Sequence, residues 1–292
     1  MNLIKARPFV KWVGGKRQLI NQFKNLGLLS PKDFDFENNK YFEPFIGGGA
    51  VFFEILPKNS IISDMNIELI KTYQTIKDNV EKLIDSLKKH KNNKEYFLEI
   101  RRKSITELDD LSIASRFIYL NKTAFNGMFR VNSRGEYNVP YGKYSNPLIC
   151  DEDNLLNVSS VLQNVEIYHR DYSEVKKFAQ KGDFIYFDPP YYPLNKTSSF
   201  TSYTKEGFLE STQVELRNIF EELSSKGCYV LLSNSDTDFI RNIYKDIKNV
   251  NIQQVFAGRA INSDSSKRGK ITELVISNYW GSSNSLGSIV LK

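Results

Sequence analysis

Ile67, Ile70, Tyr73, Ile76, Val80, Leu83, Ile84 and Leu87 recur at spacings of three and four, a pattern that predicts one long amphipathic helix. Two further helical patterns follow at residues 95–104 and 111–122. On either side of this block the period changes. Residues 41–46 read as a buried strand, 47–49 (GGG) as a turn, 50–56 as the opening of a helix and 60–63 (SIIS) as a second short strand. From residue 165 onward strands are predicted at 165–168, 183–187, 228–233, 252–256 and 272–279, with helices at 211–225 and 236–247. Gly227 stands where a helix is expected to stop. Residues 129–142, FRVNSRGEYNVPYG, alternate around Asn132 to Gly135 and predict a β-hairpin closed by a short glycine-containing loop.

Strands alternating with helices imply an α/β fold with a parallel, doubly wound sheet. Residues 1–63 and 164–280 are assigned to that domain, and residues 64–163 to an inserted, mainly helical lobe carrying the hairpin. The Gly/Ser-rich stretch 281–292 reads as a linker-like tail.

At 292 residues and 40% apolar composition, the chain can bury a substantial core. Its apolar runs are far short of the roughly 20 residues a membrane helix needs. The N-terminal MNLIKARPFVKWVGGK has cations but no apolar h-region, so a cytoplasmic protein is expected. Cys150 and Cys228 lack CxxC spacing, and neither a disulfide framework nor a metal site is indicated. The net charge of +6 is modest, but it is unevenly spread. Lys5, Arg7, Lys11, Lys16, Arg17, Lys24 and Lys32 precede the first carboxylate, Asp33. A second cluster, Lys88, Lys89, Lys91, Lys94, Arg101, Arg102 and Lys103, reads equally well as a solvated face or as a polyanion-facing one.

Two segments carry chemistry. In EPFIGGG, residues 43–49, Gly47 and Gly49 allow close backbone approach at the start of a helix, where amides and the strand's carboxyl edge favour a nucleotide-like ligand. Asp64, at the end of the next strand, is placed to accept hydrogen bonds from ribose hydroxyls. That arrangement serves NAD and S-adenosylmethionine alike. The dinucleotide fingerprint GxGxxG is not met, because its third glycine would fall at Phe52.

The second segment is DFIYFDPPYY, residues 183–192, which delivers Asp188, Pro189, Pro190 and Tyr191 to the sheet edge. With proline near 5% of residues, a carboxylate or amide followed by Pro-Pro-aromatic should arise by chance in about one chain in a hundred. An exocyclic adenine amine is a poor nucleophile because its lone pair is delocalised into the ring. Acceptors at the Asp188 carboxylate and the Pro189 carbonyl would draw that nitrogen toward tetrahedral geometry. The prolines fix both acceptors by locking φ, and Tyr191 offers a flat face for a base taken out of its duplex.

With KWVGGKRQL, YFEPFIGGGAVFF, SDMNIELI, FNGMFRVNSRGEYNVPYGKY, DFIYFDPPYYPL, FTSYT and SSKRGKITELVISNY in this order, the chain resembles the Dam-type DNA adenine-N6 methyltransferases. Within them it is most similar to the Dpn-type modification methylases that protect GATC. The resemblance spans about residues 5–280. It implies a Rossmann-like S-adenosylmethionine-dependent methyltransferase sheet with an inserted target-recognition lobe. It implies that Trp12, Lys16, Glu43, Phe45, Gly47, Asp64, Asp171, Tyr172 and Asp188 hold the cofactor. Glu43 and the glycine turn would lie beside the methionine moiety, Asp64 by the ribose, and Asp171 with Tyr172 by the cofactor adenine.

The hairpin joins Lys122, Arg130, Arg134 and Lys143 with Phe125, Phe129, Tyr137 and Tyr141. Cations and aromatics on a ribbon suit a DNA groove, although a plain surface hairpin has the same composition. By the resemblance, Arg130 reads a guanine, Phe125 and Asn126 take the wedge and phosphate positions near the flipped base, Met128 and Pro140 touch thymine, and Lys11 reads a base at the other end of the site. Phe125 stands where relatives can have Tyr. The Ser/Thr-rich stretch 197–204 reads as an active-site loop or a connector.

The expected partner is double-stranded DNA, with no metal and no membrane. A cognate restriction endonuclease would act on the same site without direct contact. A monomer is expected, with a dimer as the alternative. Cytosine C5 chemistry would need a nucleophilic cysteine, typically in a Pro-Cys pair, and Cys150 and Cys228 follow Ile149 and Gly227. The competing classes are a catalytically inactive DNA-binding regulator, methylation at another adenine-containing site, and a nicotinamide-dependent oxidoreductase.

Overall fold

The computed structural model describes residues 5–193, 208–258 and 270–281. The helices are α1 (Ile20–Asn25), α2 (Phe52–Ile55), α3 (Ile67–Leu87), α4 (Lys94–Arg102), α5 (Asp110–Thr123), α6 (Glu152–Leu162), α7 (Val175–Phe178), α8 (Glu210–Ser225) and α9 (Asp238–Tyr244). The strands are β1 (Tyr41–Glu43), β2 (Ser60–Asp64), β3 (Val165–His169), β4 (Phe184–Phe187), β5 (Tyr229–Ser235), β6 (Asn251–Gly258) and β7 (Lys270–Ser277). Among the described residues they form one seven-stranded sheet in the order β3-β2-β1-β4-β5-β7-β6.

Burial follows from position in that order. Every residue of β1 and β4 is buried, as expected of central parallel strands covered on both faces. Edge strand β3 alternates between buried and open positions. Parallel pairing joins β2 to β3, β1 to β4 and β4 to β5.

The expectation of a parallel sheet fails at one end, where β7 runs antiparallel to both β5 and β6. Parallel neighbours need a long crossover, usually a helix, and no helix separates β6 from β7 among the described residues. Residues 44–46 were expected in the first strand, but β1 ends at Glu43.

The segment expected as a hairpin makes two isolated antiparallel bridges, Val131 with Tyr137 and Ala124 with Tyr141, and no continuous ladder. Backbone bonds flank each bridge, from the Asn132 amide to the Glu136 carbonyl and from the Asn138 amide to the Arg130 carbonyl at one, and from the Phe125 amide to the Pro140 carbonyl and the Gly142 amide to the Thr123 carbonyl at the other, and side-chain bonds add to them at the turn. Asn132 Oδ1 accepts from the Arg134 and Glu136 amides, an alternative that Asn offers to backbone pairing, and Pro140 has no N–H to give. The segments 197–204 and 282–292 lie outside the described residues.

Contacts group the chain into two units. In described residues the first holds 5–15 and 43–174, and the second 16–42, 175–193, 208–258 and 270–281. The first unit is built on α3 and α5. Asn66 caps α3 by accepting from the Leu69 amide. The predicted stripe is real: Tyr73, Ile76, Leu83 and Leu87 are buried. Within this unit Glu68 and Arg116 form a buried ion pair at 2.8 Å, and Arg116 also donates to the Ile100 and Arg101 carbonyls at the end of α4. In the second unit Leu216, Phe220 and Leu223 of α8 are buried, while Phe34, Phe184, Tyr229 and Tyr279 meet edge to face. No helix among the described residues is long and apolar enough to cross a membrane.

Removing one member of a buried pair leaves the other charge uncompensated, at a cost of about 3–5 kcal/mol. Arg116→Leu should therefore lower the urea midpoint of unfolding sharply and uncover the end of α4 to amide exchange. An unchanged midpoint would show that Glu68 tolerates burial alone.

Candidate active site and nucleic-acid interface

Two groups of predicted site residues form, one in each unit, with a third surface around the bridged loop.

In the second unit β4 ends at Phe187 and the chain turns at once through Asp188, Pro189, Pro190 and Tyr191. Lys16, in a short 3-10 turn, is almost fully buried, contrary to its appearance as a surface cation. Its Nζ lies 2.7 Å from Asp188 Oδ1 and 4.5 Å from the centre of the Tyr191 ring. Burial raises the Asp188 carboxyl to about 6, and Lys16 opposes that rise without cancelling it. The Tyr191 hydroxyl is driven well above its ordinary value by burial, then by the charges of Asp188 and Glu273, and it donates to Glu273 Oε2 at 2.7 Å.

The backbone here is tied by buried amides. Gln213 Nε2 donates to the Pro190 carbonyl at 3.1 Å, Asn234 Nδ2 donates to Gln213 Oε1, and Asn234 Oδ1 accepts from the Tyr192 amide. Glu273, Gln213 and Asn234 were not singled out from the sequence. Their only sequence signal was polar residues within predicted strand and helix patterns, which is common at solvated positions.

In the first unit the glycine turn follows β1. Gly47 has φ +46°, and a Cβ there would fall 2.6 Å from Trp12 Cδ1; glycine is what lets the indole pack onto the turn. The Gly47 amide donates to Asp64 Oδ2 at 3.1 Å, and Asp64 Oδ1 accepts from the Asn66 amide. The Tyr73 hydroxyl donates to the Gly47 carbonyl.

Glu43 is buried at the end of β1. Burial raises Asp64, and burial together with the charges of Glu43 and Asp64 pushes Tyr73 well above its usual range. Phe45 and Tyr172 stack with centroids 5.1 Å apart. Asp171 accepts from the amide and hydroxyl of Ser173 and so acts as the cap of a 3-10 turn. Trp12 also stacks on Phe129, at 6.0 Å.

The third surface also belongs to the first unit. Asn121, buried on α5, exchanges hydrogen bonds with the Lys11 backbone and holds the Gly127 carbonyl. Lys11 is thereby fixed beside the loop despite 110 residues of separation. A Cβ at Gly127 would strike the Lys11 side chain at 2.6 Å.

Asn126 takes a left-handed conformation and its amide donates to the Tyr144 hydroxyl. Phe125, Arg130, Arg134, Pro140 and Lys143 are exposed, and Met128 is half-buried. Phe125 is a large exposed apolar ring, and Arg130 Nε donates to Asn138 Oδ1 at 2.7 Å. Asn121, Tyr144 and Asn138 support this surface and were not identified from sequence.

β4, a central strand of an α/β sheet, thus runs directly into Asp-Pro-Pro-Tyr with a lysine on the carboxylate. The chain belongs to the D12 class N6 adenine-specific DNA methyltransferases, whose family model matches residues 12–260. It is 46% identical to the type II methyltransferase M1.LlaDCHI of Lactococcus lactis subsp. cremoris, covering 95% of this chain and 97% of that protein. It is 43% identical to the type II methyltransferase M.MjaIII of Methanocaldococcus jannaschii, covering 94% and 100%. The DNA adenine methylase of Haemophilus influenzae is 33% identical over 93% of both chains.

Proposed function

We propose that this protein transfers a methyl group from S-adenosylmethionine to N6 of an adenine flipped out of duplex DNA within GATC. The observation that carries the reading is the Lys16, Asp188 and Tyr191 group: a desolvated carboxylate next to an aromatic face, both fixed at a strand end. In this reading residues 1–63 and 164–280 bind the cofactor and carry the chemistry, and residues 64–163 recognise the target. The protein works as a cytoplasmic monomer on DNA that a restriction enzyme would otherwise cut.

The first-unit turn offers groups that suit the cofactor. S-adenosylmethionine is cationic at sulfur and at the amino group and anionic at its carboxylate, and the turn presents the Glu43 and Asp64 carboxyl groups beside backbone amides. Asp64 would take the ribose hydroxyls, Phe45 with Asp171 and Tyr172 the adenine ring, and Trp12, Lys16 and Gly47 the rest. The bound cofactor supplies an electrophilic methyl group.

The target amine is the work of this chain's residues. Asp188 and the Pro189 carbonyl accept its two N–H bonds and free the nitrogen lone pair. Asp188 then holds the proton that N6 gives up in exchange for carbon. Tyr191 stacks on the extruded base. Among the exposed loop residues, Arg130 reads guanine and Phe125 fills the gap left by the base. Asn126, Arg134 and Lys143 meet phosphates, Met128 and Pro140 touch thymine, and Lys11 reads the far end.

Labelled methyl transfer to a duplex with one GATC, and to the same duplex with GTTC, should give N6-methyladenine only from the first. Label in neither, with cofactor bound, would overturn the substrate. Arg130→Ala should cost about 1–3 kcal/mol of discrimination at the guanine if the guanidinium reads that base; equal weakening on all sequences would reassign it to phosphate.

Since Asp188 must be ionised to accept from the amine and its carboxyl titrates near 6, the single-turnover rate should fall about tenfold per unit as pH drops below that value. Asp188→Ala should abolish turnover while leaving DNA affinity within about tenfold, because the side chain faces the amine and not phosphates. A flat profile between pH 5 and 7 would remove Asp188 from the step.

A further inference from the structure

Tyr191 is restrained from three sides. The peptide groups on either side of it are both pinned: the Pro190 carbonyl accepts from Gln213, and the Tyr192 amide donates to Asn234. Gln213 and Asn234 are fully buried and bonded to each other at 2.9 Å, so the pair locks the main chain through residue 191. With the backbone fixed, the ring retains only its two side-chain torsions. Lys16 sits over one ring face, which leaves stacking to the other, and the hydroxyl is held by Glu273 alone among the described acidic residues. Glu273 is itself set by the sheet, in register with Ser235 of β5 on one side and Val255 of β6 on the other. A carboxylate anchored in two strand pairings makes a rigid acceptor.

We infer that Glu273 is a positioning residue for methyl transfer: its hydrogen bond to the Tyr191 hydroxyl, together with the Gln213 and Asn234 clamp, sets the plane on which the extruded adenine stacks. The inference rests on the proposed role of Tyr191 as the stacking face. Glu273 touches neither base nor cofactor in this account. It acts through the tyrosine, and its effect belongs to the chemical step, not to DNA binding.

The test uses the full-length protein, S-adenosylmethionine, a GATC duplex and the same duplex with 2-aminopurine at the target adenine. The 2-aminopurine emission rises when the base leaves the stack and is quenched when the base lies on an aromatic ring. Glu273→Ala should slow single-turnover methylation at saturating substrates about ten- to a hundredfold, in line with misplaced reacting groups. It should raise bound 2-aminopurine emission and leave DNA affinity unchanged. Glu273→Gln, which keeps a carbonyl acceptor, should restore most of the rate. Tyr191→Phe removes the same bond from the other side, so the double variant with Glu273→Ala should be no slower than the slower single one.

A wild-type rate and emission in Glu273→Ala, or additive losses in the double variant, overturn the inference. Should Glu273→Ala not fold, Tyr191→Phe carries the test, and wild-type behaviour there overturns it equally. Tyr191→Ala separates the two levels. If it loses rate and quenching while Glu273→Ala does not, the stacking role stands and the Glu273 role falls; if it loses neither, the stacking role itself is wrong.

Discussion

A carboxylate at the end of a fully buried strand is the constraint around which the second unit is arranged. Desolvation alone would neutralise Asp188, and its carboxyl is already raised to about 6 with Lys16 at 2.7 Å. That cation opposes the rise that burial imposes. Lys16 in turn requires a partner for its own burial, and the Tyr191 face supplies a second contact. Buried ion pairs rarely add net stability. The arrangement is better understood as holding an acceptor in a half-buried place, where it interacts more strongly with an arriving donor than it would in open solvent.

The first unit meets a comparable cost with backbone groups. Among the described residues no cation forms an ion pair with Asp64; it takes the amides of Gly47 and Asn66. Burial raises the Asp64 carboxyl and these amides oppose that rise, while burial first and then the charges of Glu43 and Asp64 raise the Tyr73 hydroxyl.

Much of this was legible in the sequence, for a physical reason in each case. The runs of β1 and β4 read as buried strands because central parallel strands are apolar on both faces. The α3 stripe appeared because a helix on one core must repeat every three to four residues. Asp188 to Tyr191 was legible because two prolines between a carboxylate and an aromatic ring are rare. The antiparallel β7 was not, because strand direction depends on the connection and leaves no local mark. Lys16 looked like one more cation in a basic segment, and only the fold buries it. Glu273, Gln213 and Asn234 were invisible for the same reason: each is defined by a partner at least 21 residues away.

The bridged loop shows what replaces a regular ribbon. A ladder would fix residues 129–142 by backbone pairing and dictate which side chains face outward by strict alternation. Here Asn132 occupies the turn amides, Asn121 holds Lys11 and Gly127, and Tyr144 and Tyr137 tie the Asn126 amide and the Met128 carbonyl. Two short stretches of antiparallel backbone bonding join these side-chain anchors in holding the loop, and Phe125, Arg130, Pro140 and Lys143 stand on its surface. The shape of the loop rests on the buried Asn121 and the tyrosine hydroxyls, which leaves the residue types at the exposed positions free of that structural duty.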